Sequence, residues 1–425
     1  MKKLICSIMI LFLIIGCQSQ DSTKHLANKN LDSIVLENEN IDTTLAGLVY
    51  RNPIVGIAAS VISEDSVIYR NAFGSDSFLP DSKYSPETIQ PLASVSKTFI
   101  GLSIMILVDQ GKLSLDEKIN DILPYKITNP YHPDKAITIR HLVTHTSTIT
   151  DDYDDIDDSI LWLLEEYKAE DYNSSPNVKD RLSYFSLGKP IGFDQYISNV
   201  CLAEGKWFTK DNFLNHEPGT RYEYSNIGAT IAARVVELKS GQAFMDFTEN
   251  QIFKKLNMHN TSWEYGNLDN NLISNLYELD SLNNPIRIPR YHEAGYPEGQ
   301  LKSNAVDMSN YVQEMLRGLS GKGKILTNTS YKTLFTPQLS ETHFEERSDF
   351  EFDDEYNVGV FWSTSKAGLI LHNGAMDGVY SFLYLNPINK IGVIAFSNTT
   401  DNSFGAVRTE LRTFEKQIMP AAYKR

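Results

Sequence analysis

Pro91-Leu92-Ala93-Ser94-Val95-Ser96-Lys97-Thr98-Phe99-Ile100, running on through an apolar stretch to Val108, is the segment around which the rest of the chain is organised. A serine three residues ahead of a lysine, at the start of a helix, sets hydroxyl and amine on one helical face within reach of each other. That is the layout of an activated nucleophile. From Gly101 to Val108 every residue is apolar or small, so this helix is expected at the centre of the fold rather than on its surface. Asp109-Gln110-Gly111 closes it, with Gly111 as the left-handed cap. Ser94 sits where orphan backbone N–H groups and the positive end of the helix dipole favour a negative charge developing beside it.

A Ser-x-x-Lys spacing arises by chance about once or twice in a chain of this length. It recurs at Ser186/Lys189 and at Ser363/Lys366. Neither opens a long apolar helix, because Gly188 and Pro190 interrupt the first and Ala367-Gly368 the second. Context therefore singles out Ser94, with Lys97, as the candidate nucleophile.

The 425 residues suffice for a large core, and 41% hydrophobic with 22% charged residues is a globular composition. A formal net charge of -15 argues against a nucleic acid partner. Met1-Lys2-Lys3 followed by apolar Leu4 to Ile15 reads as an export signal, too short for a comfortable transmembrane span. It ends in Ile14-Ile15-Gly16-Cys17, which resembles a bacterial lipoprotein signal. Residues 1–16 are accordingly expected to be a leader, with Cys17 lipidated and residues 17–29 a tether. The domain would then lie in the bacterial cell envelope, held to a membrane by its lipid. With Cys6 in the leader and Cys17 as the lipid site, Cys201 is left alone and the mature domain has no disulfide to form.

Gly56 to Ile62 and Val67 to Phe73 read as two strands of a hairpin around Ser63-Glu64-Asp65-Ser66. A helix is expected from Leu31 to Leu48, broken near Asn38 to Asn40. His141 and His145 stand four apart, but no Glu follows His141, so packing or capping roles are favoured over a metal. Asp151 to Asp171 is strongly acidic and lacks the glycine and closing glutamate of a calcium loop. It reads as a solvated loop leading into a short helix around Ile160 to Leu164.

Glu217 to Gly228 leads into a helix with Ile231, Ala232, Val235 and Val236 inside and Gly241 as cap. Further helices are expected at Phe244 to Leu256 and Val306 to Leu319. Strands then recur at Val358 to Trp362, Gly368 to His372, Tyr380 to Leu385 and Ile391 to Phe396, before a closing helix from about Phe404 to Ile418. The expected fold class is α/β of the α+β type, with an antiparallel sheet built from both chain ends and flanked by helices. A helical subdomain, roughly residues 111–290, is inserted in the middle of a domain spanning residues 30–425.

Three motifs stand in order: Ser94-Val95-Ser96-Lys97, Tyr224-Ser225-Asn226 and His372-Asn373-Gly374. Together with His141 to Ser147 and Pro218 to Asn226, they resemble the serine β-lactamase and penicillin-binding protein superfamily, in its class C, DD-peptidase and related-esterase branch. The other Tyr-x-Asn triplets, at Tyr50, Tyr69, Tyr265 and Tyr384, read as ordinary strands or turns. Lys239-Ser240-Gly241 mimics a lysine form of the third motif but ends a helix, where Lys then Gly is capping.

The resemblance implies a β-lactamase/transpeptidase-like fold and an acyl-enzyme on Ser94, with no metal and no cofactor. A serine hydroxyl needs a base, and Lys97 and Tyr224, side chains that ordinarily titrate near pH ~10, would titrate as a pair. Residue types alone leave open which takes the proton. By resemblance Tyr224 is base and later proton donor, with Lys97 as its electrostatic partner. Asn226 would hydrogen-bond Lys97 and a substrate amide. The backbone N–H groups of Ser94 and Ala375, the residue after Gly374, would hold the oxyanion, and His372 would bind a substrate carboxylate or carbonyl from a strand edge. Histidine there suits a DD-peptidase-like hydrolase of an amide, peptide or ester better than an efficient β-lactamase. β-Lactamase or carboxylesterase activity is the alternative, and a non-catalytic envelope ligand-binding lipoprotein the alternative of another class. The partners implied are a small-molecule or peptide substrate and the membrane.

The chain departs from the family at Thr148, where a glycine is usual after Thr-Ser, and in the length of the segment from Ser147 to Pro218. Both lie where the pocket rim is expected, so substrate preference transfers least.

Overall fold

The computed structural model describes residues 41–50, 54–77, 82–151, 160–166, 168–172, 176–185, 188–344 and 356–401. The expected leader, tether and closing helix lie outside them. The hairpin forms as read: β1 (Gly56–Ser63) and β2 (Val67–Gly74) pair antiparallel, with a bulge between Val61 and Ile62. From the other end of the described chain come β3 (Asn357–Val358), β4 (Ser363–Thr364), β5 (Ile370–Met376), β6 (Val379–Asn386) and β7 (Ile391–Ser397). All join one antiparallel sheet in the order β2-β1-β7-β6-β5-β4-β3. The seam between the chain ends is β1 on β7, with Ile57 opposite Ser397 and Ser63 opposite Ile391.

These strands are apolar on both faces because both are covered. Ile57, Ala59 and Val61 point into a core with Leu45 and Leu48 of the helical residues 41–50, joined by Tyr380, Phe382 and Tyr384 of β6. Ala58, Ile62, Leu383, Leu385, Ile394 and Phe396 face the larger core on the other side. There lie α1 (Lys97–Asp109), α2 (Asn226–Ser240) and α3 (Ala305–Leu319). α1 is buried from Lys97 to Leu107, as its all-round apolar sequence requires. Gly111 adopts φ 66° just after it, and Gly241 caps α2 at φ 71°.

Several expectations change. The expected strand Val358 to Trp362 breaks after Val358, where Phe361 turns at φ 53° and donates its N–H to Val143 O. The strand expected from Gly368 to His372 starts later and runs to Met376, carrying all of His372-Asn373-Gly374. Leu161–Leu163 is a strand, not a helix, because it pairs with Tyr291–Glu293. Residues 152–159 lie outside the described residues. Glu165 is only partly exposed and is tied down by Arg287 and Arg290. The segment 111–290 also holds strands, among them Leu276–Leu279 and Pro285–Ile288.

Candidate active site

Gln90–Pro91 pairs with Lys302–Ser303, and Leu92 N–H donates to Leu301 O at 2.8 Å, so the chain enters the site anchored. Ala93 then turns at φ 47°, and Ala93–Ser96 form a 3-10 turn continuous with α1. A left-handed alanine costs about 1–2 kcal/mol, and here its burial among Tyr172, Val178 and Val379 holds it. Ser94 is left half-buried while Lys97, one turn on, is fully buried. The Lys97 ammonium donates to Ser94 Oγ at 3.1 Å and to the Glu298 carbonyl at 2.7 Å.

Tyr224 approaches from the start of α2. Ser225 is the N-cap, its Oγ accepting from Gly228 N–H at 3.0 Å. The Asp151 carboxylate adds to that cap by accepting from the N–H groups of Asn226 and Ile227. The first residue of the acidic segment is thus structural. Lys97 Nζ lies 5.1 Å from the centre of the Tyr224 ring. His145 stacks on that ring, with centroids 4.4 Å apart and planes at 28°. His145 Nδ1 accepts the Ser225 N–H at 3.1 Å, and burial, reinforced by Lys97 and His372, holds its pKa well below the usual imidazole value. It is a neutral ring fixing the base of α2 and the tyrosine together. His141 shares in capping residues Ile139–Val143. Both histidines therefore take packing and capping roles.

β5 forms the opposite wall. Its Gly374 packs so closely that an added Cβ would lie 2.8 Å from Ser94 N and 2.5 Å from Leu92 O. Only glycine permits that approach, and it brings the backbone beside Ala375, which is exposed, alongside Ser94. His372 is buried with its ring 6.4 Å from that of Tyr224. Its Nδ1 meets the Asn373 carbonyl at 2.7 Å, and since a carbonyl only accepts, Nδ1 carries the proton. Burial and the nearby Lys97 ammonium lower its pKa to about 3. A neutral ring with Nδ1–H leaves Nε2 with a lone pair rather than a charge.

The structure thus brings Ser94, Lys97, Tyr224, His372 and Gly374 together, with Asn226 opening α2 beside Tyr224. One expected contact differs: Lys97 donates to Ser94 and to the Glu298 carbonyl and not to Asn226. Glu298 escaped the sequence reading, as did Glu293. The Glu298 carboxyl is buried, bound by the Thr230 hydroxyl, and pushed well above the usual carboxylate range by burial and by Glu293, against the pull of Lys97. An acid between Pro297 and Gly299, five residues after Glu293, was the available signal. Thr148, in the place of the family's glycine, takes φ 69°, the left-handed conformation for which glycine is the usual choice. Its hydroxyl accepts from Asn129 at 2.8 Å. Among the described residues no group of His, Cys, Asp and Glu is placed to hold a metal.

The long segment between Ser147 and Pro218 supplies one end wall. Its helix Pro176–Phe185 buries Val178, Leu182 and Phe185 against Ala93, Tyr291 and Val379. Arg181 ties it to Glu278 and, at 3.2 Å, to Asp377 in the turn after β5.

A serine and lysine on a buried helix, a tyrosine at the foot of a second helix and a glycine-bearing sheet strand define the class, and the family match agrees. The chain belongs to the beta-lactamase family, which it matches over residues 41–416. Protein flp of Staphylococcus aureus (strain MRSA252) is 24% identical over 360 residues, which is 85% of this chain and 62% of that protein. The chain therefore spans less than two thirds of that relative. Among solved structures, the octameric penicillin-binding protein homologue from Pyrococcus abyssi matches with TM-score 0.67 and 21% identity, over 92% of this chain and 77% of that one. The D-amino acid amidase from Ochrobactrum anthropi SV3 matches with TM-score 0.64 and 16% identity, over 92% and 99%.

Proposed function

We propose that this chain is a serine hydrolase that forms an acyl-enzyme on Ser94 and acts on a small amide, peptide or ester. The observation that carries this reading is the 3.1 Å contact between the Lys97 ammonium and Ser94 Oγ, with the Tyr224 ring against the same ammonium. Attack of Ser94 on the substrate carbonyl sends its proton to the Tyr224 oxygen, which acts as a phenolate beside the Lys97 ammonium. The oxyanion forms between the N–H groups of Ser94 and Ala375. Tyr224 then protonates the leaving group, and water repeats the cycle to release the acid. Lys97 acts by holding Ser94 and by its field.

The tautomer of His372 refines the substrate class. Its Nε2 accepts a hydrogen bond, so it pairs with a substrate N–H or with the Tyr224 hydroxyl and does not clamp a carboxylate. That favours amides and esters without a free carboxylate over substrates anchored by one, and it moves the reading from a carboxypeptidase towards an amidase or esterase. The amidase among the structural neighbours fits the same choice. The test is intact mass of the protein with a penicillin and with an activated ester, beside Ser94→Ala. A mass gain of one acyl group that requires Ser94 supports the reading. Hydrolysis that survives Ser94→Ala removes it.

A further inference from the structure

Tyr296–Glu298 is a single 3-10 turn, and its last residue reaches both α1 and α2. The Glu298 carbonyl accepts from the Lys97 ammonium at 2.7 Å, and the Glu298 carboxyl accepts from the hydroxyl of Thr230, one turn along α2 from Asn226. The chain beyond Glu298 is pinned as well. Leu301 N–H donates to Ser96 Oγ at 3.2 Å, and Leu301 O accepts from Leu92 at 2.8 Å. Two glycines make room for the acids around this turn: a Cβ at Gly295 would lie 2.6 Å from Glu298 Cδ, and one at Gly299 would lie 2.9 Å from Glu293 Oε1. Space for both carboxyls is thus built into the backbone, and the acyl chemistry at Ser94 uses neither of them.

The nearby charges make this bridge matter to the reaction. Lys97 is fully buried, and among the described residues its ammonium donates to two neutral oxygens, Ser94 Oγ and the Glu298 carbonyl. Burial and Glu293, with Asp151, hold the Glu298 carboxyl well above the usual carboxylate range, against the pull of Lys97 and of the Thr230 hydrogen bond. A neutral acid leaves the field of Lys97 to Ser94 and Tyr224. An anion in its place would take up part of that field and raise the proton affinity of the Tyr224 oxygen.

We propose that Glu298 is a positioning residue that sets the Lys97 ammonium against the Tyr224 ring, holding the lysine by its carbonyl and α2 by its carboxyl. The role rests on the hydrolase reading of Ser94, Lys97 and Tyr224, and a readout free of turnover keeps the two apart. The titratable groups facing Glu298 are Lys97 on α1, Asp151 at the cap of α2, Tyr196 on helix Phe193–Cys201 and Glu293 on strand Tyr291–Glu293. Those facing Tyr224 are Lys97, His145 and His372, and burial keeps both imidazoles neutral. Ionisation of Tyr224 therefore reads how closely Lys97 is held to it.

The test is ultraviolet difference titration of the Tyr224 phenolate in the full chain, each protein measured against its Tyr224→Phe counterpart, beside steady-state hydrolysis of an activated ester. Glu298→Ala keeps the carbonyl but releases α2. It should move the Tyr224 ionisation up by about one pH unit and lower kcat by about ten- to 100-fold, with KM changed by less than about threefold. Glu298→Gln, which keeps an uncharged acceptor for the Thr230 hydroxyl, should recover most of both losses. Thr230→Val removes the other end of the bridge at nearly the same shape and should repeat the alanine effect, which keeps the role testable if Glu298→Ala does not fold. Thermal melting sorts folded variants from unfolded ones. An unshifted Tyr224 in a folded Glu298→Ala or Thr230→Val would overturn the proposal. So would a Glu298→Gln that behaves like the alanine variant, or one that ionises Tyr224 at lower pH than the parent, which would mark Glu298 as an anion. The expected Tyr224 shifts in a protein that cleaves no ester would support this role and count against the hydrolase reading.

Discussion

Gly374→Ala is the substitution whose effect the structure fixes most closely. The added Cβ would fall 2.5 Å from Leu92 O, 2.6 Å from Ser381 Oγ and 2.8 Å from Ser94 N. Non-bonded heavy atoms settle at about 3.5–4.0 Å, so the shortfall is on the order of 1 Å in three directions. Two of the three obstacles are backbone. The third, the Ser381 hydroxyl, is held by its own 2.6 Å hydrogen bond to Leu92 O. Relief therefore comes from β5 moving away from Ser94, which pulls the Ala375 N–H out of the proposed oxyanion position. Misplacement by about 1 Å costs about 100-fold in rate, and loss of one oxyanion donor about 100- to 1,000-fold. Steady-state hydrolysis of an activated ester should show kcat down by about 100- to 1,000-fold. Overpacking should remove only about 1–3 kcal/mol from urea unfolding. Gly266→Ala, where a Cβ meets nothing within 4 Å, is the control. A folded Gly374→Ala with kcat within about threefold of the parent would refute the assignment of this strand edge to the oxyanion.

His372, depressed to about 3 from an unfolded value near ~6.5, makes stability fall as pH drops through that window, because there the unfolded chain binds the extra proton. Urea unfolding at pH 6.5 and pH 5 should show about 2 kcal/mol more loss in the parent than in His372→Asn. His145→Phe keeps a ring under Tyr224 but strands the Ser225 N–H, so it should cost about 1–3 kcal/mol of stability by the same measurement. Arg181→Met removes the partner of the buried Glu278. With Arg181 about a third exposed, a loss of about 1–2 kcal/mol is expected, with KM raised more than kcat is lowered. If Cys17 is the lipid site, the expressed protein should partition with membranes and take up labelled palmitate, and Cys17→Ser should lose both.

The parts legible in the sequence were those with a local physical cause. An all-round apolar run forces α1 inside, alternating runs around Ser63 to Ser66 force a hairpin, and Gly111 and Gly241 end helices where a left-handed residue is needed. The three motifs could be ranked because each sat in the right kind of element. What escaped was set by long-range partners. Leu161–Leu163 is a strand only because Tyr291–Glu293 lies beside it, and Asp151 is a helix cap only because α2 starts within its reach. Glu298 entered the site through its backbone carbonyl, an atom that every residue has and no pattern marks. The tautomer of His372 was equally invisible, since it follows from which atom its Nδ1 meets.

The seam between β1 and β7 joins residues more than 300 positions apart in sequence, as Ile57 opposite Ser397 shows. During synthesis β1 and β2 therefore emerge with an open edge that only the last part of the chain can fill. Closing so long a loop is slow, and the open edge is a template for wrong pairing until it closes. The same delay governs activity. In the sheet β5 reaches β1 only through β6 and β7, so a nascent chain that stops before Ile391 lacks the strand that joins the β5 wall to the first hairpin. Hydrolytic activity should consequently appear only once β7 has paired with β1, and chains that end before Ile391 should carry none of it.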